Sequence, residues 1–106
     1  MGLLTASMRM AYLNASRLDL EYKIQLVSQA KVDLATQSTE LVNAGTDLDP
    51  NSPVVKQLEA RKERLHLLEK KLDQQMLQYQ SRLTLIEAEF KSAQKQFQSN
   101  ASSVSY

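Results

Sequence analysis

Cysteine and tryptophan are absent from this chain, and glycine, proline and histidine number two, two and one among 106 residues. Without cysteine there are no disulfides, no thiolate nucleophile and no cysteine-based zinc site. Two glycines cannot build a glycine-rich phosphate cradle. With only two prolines besides, the chain has little punctuation for a fold of many elements. Aromatic residues make up 6%, so a compact core would rest mainly on Leu, Met and Val. No segment approaches the ~20 consecutive apolar residues of a membrane span, and no charged, uninterrupted apolar leader opens the chain. Met1-Gly2 begins a myristoylation pattern, but Ala6 stands where Ser or Thr is needed. The expectation is one domain over 1–106 without a transmembrane segment, either cytoplasmic or exported without a cleaved signal peptide.

Net charge is only +1. Four basic residues (Arg9, Arg17, Lys23, Lys31) balance four acidic ones (Asp19, Glu21, Asp33, Glu40) up to Gly45, and the basic surplus lies beyond Pro53. Nucleic-acid binding calls for a dense basic stripe with stacking aromatics, so no nucleic-acid partner is expected.

What is present is a bias to Leu, Ala, Gln, Lys, Glu and Ser, which favours long helices. One break interrupts it, from Asn43 to Pro53. Gly45 suits the left-handed position that ends a helix, Asp49-Pro50 is a turn-forming pair, and Ser52 reads as an N-cap with Pro53 at the first helical position. The prediction is all-α: a helix over about 3–44, a turn over 45–52, a helix over about 53–98 and a polar tail over 99–106. Each helix would be on the order of 60–70 Å long, folded back as an antiparallel, coiled-coil-like hairpin.

The second helix carries a seam: Leu58, Leu65, Leu68, Leu72, Met76, Tyr79, Leu83, Ile86, Phe90, Ala93 and Phe97. Its two successive steps of four, Leu68–Leu72–Met76, predict a stutter that locally unwinds a supercoil. The first helix offers Met10, Leu13, Leu20, Ile24 and Val27 to this seam, continued by Leu34 and Leu41 but interrupted by Lys31 and Ser38. Folding back about the break sets Leu20 beside Met76–Leu77 and Leu13 near Leu83, with a wetter turn end.

The first helix also has a second stripe. Leu4, Met8, Ala11, Ala15, Leu18, Tyr22 and Leu26 follow one another at steps of 4, 3, 4, 3, 4 and 4. A helix apolar on two faces is normally surrounded by other helices or lipid, and a hairpin covers one face only. Asp19, Glu21 and the scarcity of lysine and arginine on one polar face argue against a membrane surface. These seven residues are therefore the expected contact with further copies of the chain or with another helical protein.

Chemistry-bearing patterns are few. Glu63-Arg64-Leu65-His66 has the E-x-x-H spacing of bundle di-iron sites, but Glu63 projects roughly opposite the Leu58–Leu65–Leu72 line and His66 about 100° from it. No metal, cofactor or catalytic residue is expected from it, and no nucleophile–histidine–acid set can be assembled around His66. The sequons Asn14-Ala15-Ser16 and Asn100-Ala101-Ser102 read as chance matches, the first lying inside a helix.

Pro50-Asn51-Ser52-Pro53, followed by Val54-Val55 and Leu58 and flanked by two long helices, resembles the turn of the needle-forming subunits of bacterial type III secretion systems. That resemblance implies export without a cleaved signal and polymerisation into a helical tube. The functional expectation is a non-enzymatic subunit that self-associates through its N-terminal helix into a homo-oligomer or filament. The alternative is a small chaperone or adaptor that receives a client helix.

Overall fold

A computed structural model describes the backbone of residues 2–46 and 48–104 and the side chains of 2–46 and 48–102; Asp47 and residues 105–106 of the expected turn and tail lie outside it. The fold is an all-α helical hairpin of two helices, α1 (Gly2–Gly45) and α2 (Pro53–Val104). Contacts divide it into two units: residues 2–24 with 78–104, and residues 25–77.

The turn is built from side-chain and backbone caps. The Thr46 hydroxyl donates to the carbonyls of Val42 (3.1 Å) and Asn43 (2.8 Å), satisfying orphan acceptors at the end of α1. No described glycine has positive φ, so Gly45 is the last helical residue rather than the left-handed terminator expected; Thr46 has taken over the capping. Asp49-Pro50-Asn51-Ser52 forms a β-turn closed by Ser52 N–H donating to the Asp49 carbonyl (3.0 Å), with Pro50 at the second position, where its fixed φ fits. The Asp49 carboxylate accepts from Asn51 N–H (3.1 Å). Ser52 then caps α2: its Oγ accepts from Val54 N–H at 3.2 Å, leaving Pro53 at the position that needs no donor.

Both helices bury residues at a seven-residue period. On α1, Ala6, Leu13, Leu20, Val27 and Leu34 are buried, and Leu3, Met10, Arg17, Ile24, Lys31, Ser38 and Gly45 are half-buried between them. Calling the first set d and the second a, α1 keeps one a/d register over its whole length. On α2 the half-buried Leu58, Leu65, Leu72, Tyr79 and Ile86 and the buried Ala93 form one row; Val55, Met76, Leu83, Phe90 and Phe97 form the other. The missing members of the second row are Lys62 and Glu69, not Leu68. The half-buried residues keep the seven-residue period through this stretch (Leu65, Leu72, Met76, Tyr79, Leu83), so the predicted stutter is absent; the place in line before Leu72 falls on Glu69, itself exposed, and Leu68, 48% exposed, lies off both rows. Hydrophobicity had named the neighbouring leucine; geometry places the charged residue in line.

The register also differs from expectation. In the unit away from the turn, Arg9 Nη1 donates to Gln96 Oε1 (3.3 Å), and the Arg17 guanidinium lies over the Phe90 ring, 5.3 Å from its centroid. Leu13 falls between these pairs and is therefore level with Ala93 rather than Leu83. Leu20 belongs with the Ile86 turn rather than Met76–Leu77. Two causes combine. In the turn unit Gly45 meets Leu58 rather than Pro53, so α2 begins more than a turn beyond the end of α1. Side chains also lean toward the N-terminus of their own helix, which raises the residue numbers of touching pairs in an antiparallel arrangement.

The second helix does not stop near Gln98. It continues to Val104, and in its last turns Asn100 and Ala101 are half-buried. A Cβ placed on Gly2 would stand 3.0 Å from the Asn100 amide nitrogen. Packing against the start of α1 thus holds helical a segment whose serine content argues for fraying.

Candidate interaction surface

The a/d register assigns every remaining position of α1. Leu4, Ala11 and Leu18 fall at b and Met8, Ala15 and Tyr22 at f, with f diametrically opposite the seam. These six lie in the unit away from the turn, and all are exposed: Leu4 63%, Met8 65%, Leu18 53% and Tyr22 60%, with both alanines open to solvent. Leu26, at c, is 49% exposed and belongs to the turn unit. Tyr12, also at c and 70% exposed, borders the same face. It was missed because the three- and four-step spacing passes through Ala11 and Ala15 instead.

The α2 helix is different. Its apolar residues concentrate on the seam side, whereas those of α1 are spread almost evenly round the axis. Exposed leucines on α2 (Leu67, Leu68, Leu77, Leu85) are scattered among charges and form no line. Leu67 and Leu68 sit beside Arg64, Lys70 and Lys71 in an open depression on one helix.

Among the expected seam residues, Leu13, Leu20 and Val27 are buried; Ile24, Leu65, Leu72, Met76, Tyr79, Leu83, Ile86 and Phe90 are half-buried. Leu3 and Val55 lay outside the expected seam set, and so did Ala6 and Arg17. Counting seven back from Leu13 or on from Met10 reaches the latter two, but neither residue type marks a core. Arg17 Nη2 donates to Asn14 Oδ1 at 2.7 Å, while its Nε is buried without a hydrogen-bond partner.

Charge is arranged mostly in local pairs. Lys23 Nζ stands 2.9 Å from Asp19 Oδ2, one turn earlier on α1, and this hydrogen bond raises the lysine above its ordinary 10.5. In the turn unit Lys31, at an a position, reaches Asp73 at 2.7 Å, so a cation interrupts the seam yet finds a partner across it. His66 and Glu69 approach only to 3.9 Å, both well exposed; Glu63 is also exposed and does not join them. Among the described residues no group of three or more His, Asp or Glu side chains is placed to hold a metal ion, and no helix is long and apolar enough to cross a membrane.

Compared with protein-family models, with curated proteins and with solved structures, the chain matches none.

Proposed function

We propose that this chain is a non-enzymatic structural subunit that self-associates through the outer face of the first half of α1. One observation carries the reading. The b and f positions, which face away from α2 and which a solitary hairpin would fill with charge, hold Leu4, Met8, Ala11, Ala15, Leu18 and Tyr22 instead. Among the described residues the hairpin buries only six hydrophobic side chains, so much apolar surface stays wet. Covering it recovers about 25 cal/mol per Å². The outer positions of α2 lack any comparable row, which supports α1 as the contact. This face suits a closed homo-oligomer or an open assembly, the open tube being the form that the resemblance to needle subunits implies.

Native mass measured by light scattering over a range of concentrations tests the reading. The wild type should form a defined homo-oligomer or fibres. The double substitution Leu18→Glu with Leu26→Glu should abolish assembly and leave helicity intact, since neither residue is in the seam. An unchanged mass in the double variant would show that this face is not the contact. A wild-type chain that stays monomeric until a foreign helical protein is added would favour the chaperone or adaptor reading.

A further inference from the structure

The outer stripe has an internal symmetry that separates one mode of self-association from the others. Leu4, Met8 and Ala11 lie nine, five and two residues before Leu13; Ala15, Leu18 and Tyr22 lie two, five and nine after it. The row reads large, large, small, small, large, large in either direction. We propose that this face pairs with the same face of a second copy, antiparallel, about a two-fold axis at the level of Leu13. The inference rests on the self-association reading above and specifies its geometry.

An isologous contact needs a patch complementary to itself after a half-turn, and this spacing supplies one. At the proposed level Ala11 meets Ala15 of the second copy, Met8 meets Leu18, and Leu4 meets Tyr22. The four central alanines allow the axes to close toward the short end of the usual ~8–10 Å. The longer side chains then interlock on either side over ~27 Å of helix. Because f is opposite the seam, α2 of each hairpin stays clear of this contact.

Charge selects the same orientation. The stripe is flanked by Thr5, Tyr12 and Asp19 at c and by Ser7, Asn14 and Glu21 at e. Across an antiparallel pair c lies against c and e against e, as follows from the symmetry of the two-fold axis. Asp19 then comes beside Thr5 of the second copy and Glu21 beside Ser7. A parallel pair sets c against e and gathers Asp19 and Glu21 of both copies at one end of the contact along both edges, with only the Lys23 already paired to Asp19 in each copy to offset them. Like charges so placed are destabilising, so the parallel arrangement is disfavoured.

The area agrees with a pair of modest strength. Four large side chains exposed by half to two-thirds, with two alanines, offer on the order of 500 Å² per copy. The total of about 1,000 Å² sits at the lower limit for specific interfaces. A dimer that forms and parts with concentration follows.

Because the chain contains no cysteine, single introduced thiols report the geometry directly. Ala11→Cys and Ala15→Cys are prepared separately, checked for unchanged helicity, mixed, and oxidised under mild conditions. The proposal expects the mixed 11–15 disulfide as the main crosslinked product. Residues 11 and 15 then face each other within the roughly 4.4–6.8 Å Cα separation a disulfide needs. Two copies of residue 11 are instead offset by about 6 Å along the axis in addition to the gap between helices. Predominant 11–11 and 15–15 products would overturn the antiparallel pair while leaving self-association standing. Large assemblies or fibres without an 11–15 crosslink would do the same. A wild-type chain monomeric at every concentration would overturn both readings.

Discussion

Replacing Arg17 by methionine should stabilise the hairpin, although it removes every polar contact the arginine makes. The guanidinium gains a cation–π contact with Phe90 at 5.3 Å, worth about 0.5–2 kcal/mol, and a hydrogen bond to Asn14 three residues earlier. That bond is local and partly solvated, so it contributes ~0.5–1 kcal/mol. Against these stands a buried Nε with no partner, whose desolvation costs about 1–3 kcal/mol. Methionine removes that cost and fits an a position flanked by the buried Leu13 and Leu20. It also restores a sulfur–aromatic contact of ~0.3–1.5 kcal/mol to Phe90, with no loss of helix propensity. The balance favours the variant by about 1 kcal/mol. Arg17→Ala is the control: it removes the aliphatic stem as well and should destabilise by roughly 1–2 kcal/mol. Urea unfolding followed by circular dichroism gives both differences as midpoint shifts at unchanged slope. All three proteins must be compared at one concentration, since assembly adds to apparent stability. If Arg17→Met is less stable than wild type by about 1 kcal/mol or more, the cation–π and Asn14 contacts outweigh the buried Nε, and the reasoning is wrong.

Three further outcomes follow from single residues. Ala93 is 0% exposed, so Ala93→Leu should overpack the seam and cost about 1–3 kcal/mol, lowering the thermal midpoint; an unchanged midpoint would show free space that the packing does not have. Ser52→Ala deletes the acceptor for Val54 N–H and should cost about 1 kcal/mol, read from the same urea midpoint. The raised Lys23 gives a pH dependence with a definite sign. Its folded value lies above 10.5 because the Asp19 carboxylate holds the ammonium form, so the pairing contributes fully below 10.5 and fades as pH rises through the folded value. In an NMR titration Lys23 should therefore deprotonate after an unpaired lysine, and Asp19→Asn should return it to about the ordinary value; a titration unaffected by Asp19→Asn would disprove the pairing.

Much of this fold is legible because its signals are local. Ser52 and Pro53 announce the start of α2 through their own backbone chemistry. Leu13, Leu20, Leu83, Ile86 and Phe90 mark the seam by spacing alone. The failures share a cause: they concern positions where residue type and place disagree. Leu68 is the more hydrophobic neighbour, but the seven-residue period passes through the exposed Glu69 beside it; Arg17 and Ala6 sit in line though neither advertises a core. Gly45 could adopt a left-handed conformation that Thr46 makes unnecessary. Register is illegible for another reason. It depends on how far α2 begins beyond α1 and on the lean of side chains, and neither is written in the pattern of one helix. The extension of α2 to Val104 likewise depends on what Asn100 meets, namely a glycine at residue 2.

The outer stripe was legible as a surplus, and the competition between the two faces of α1 explains why it remains one. Either face could pack a helix, and the outer one is locally free of charge: the b and f positions from Leu4 to Tyr22 hold none, whereas the seam includes Arg17 within that stretch and Lys31 and Ser38 beyond it. The difference is length. The d row recurs without a gap at Ala6, Leu13, Leu20, Val27, Leu34 and Leu41, matching an α2 that presents its own row from Leu58 to Ala93. The b and f rows give way to Gln25 and Gln29 after Tyr22. Burial free energy grows with contact length, so the long partner takes the long face and tolerates polar residues within it. What is left is short, uncharged and symmetric about its own middle. That is the length and form of the contact proposed with a second copy, and α2 with its charged outer positions has nothing of the kind to offer.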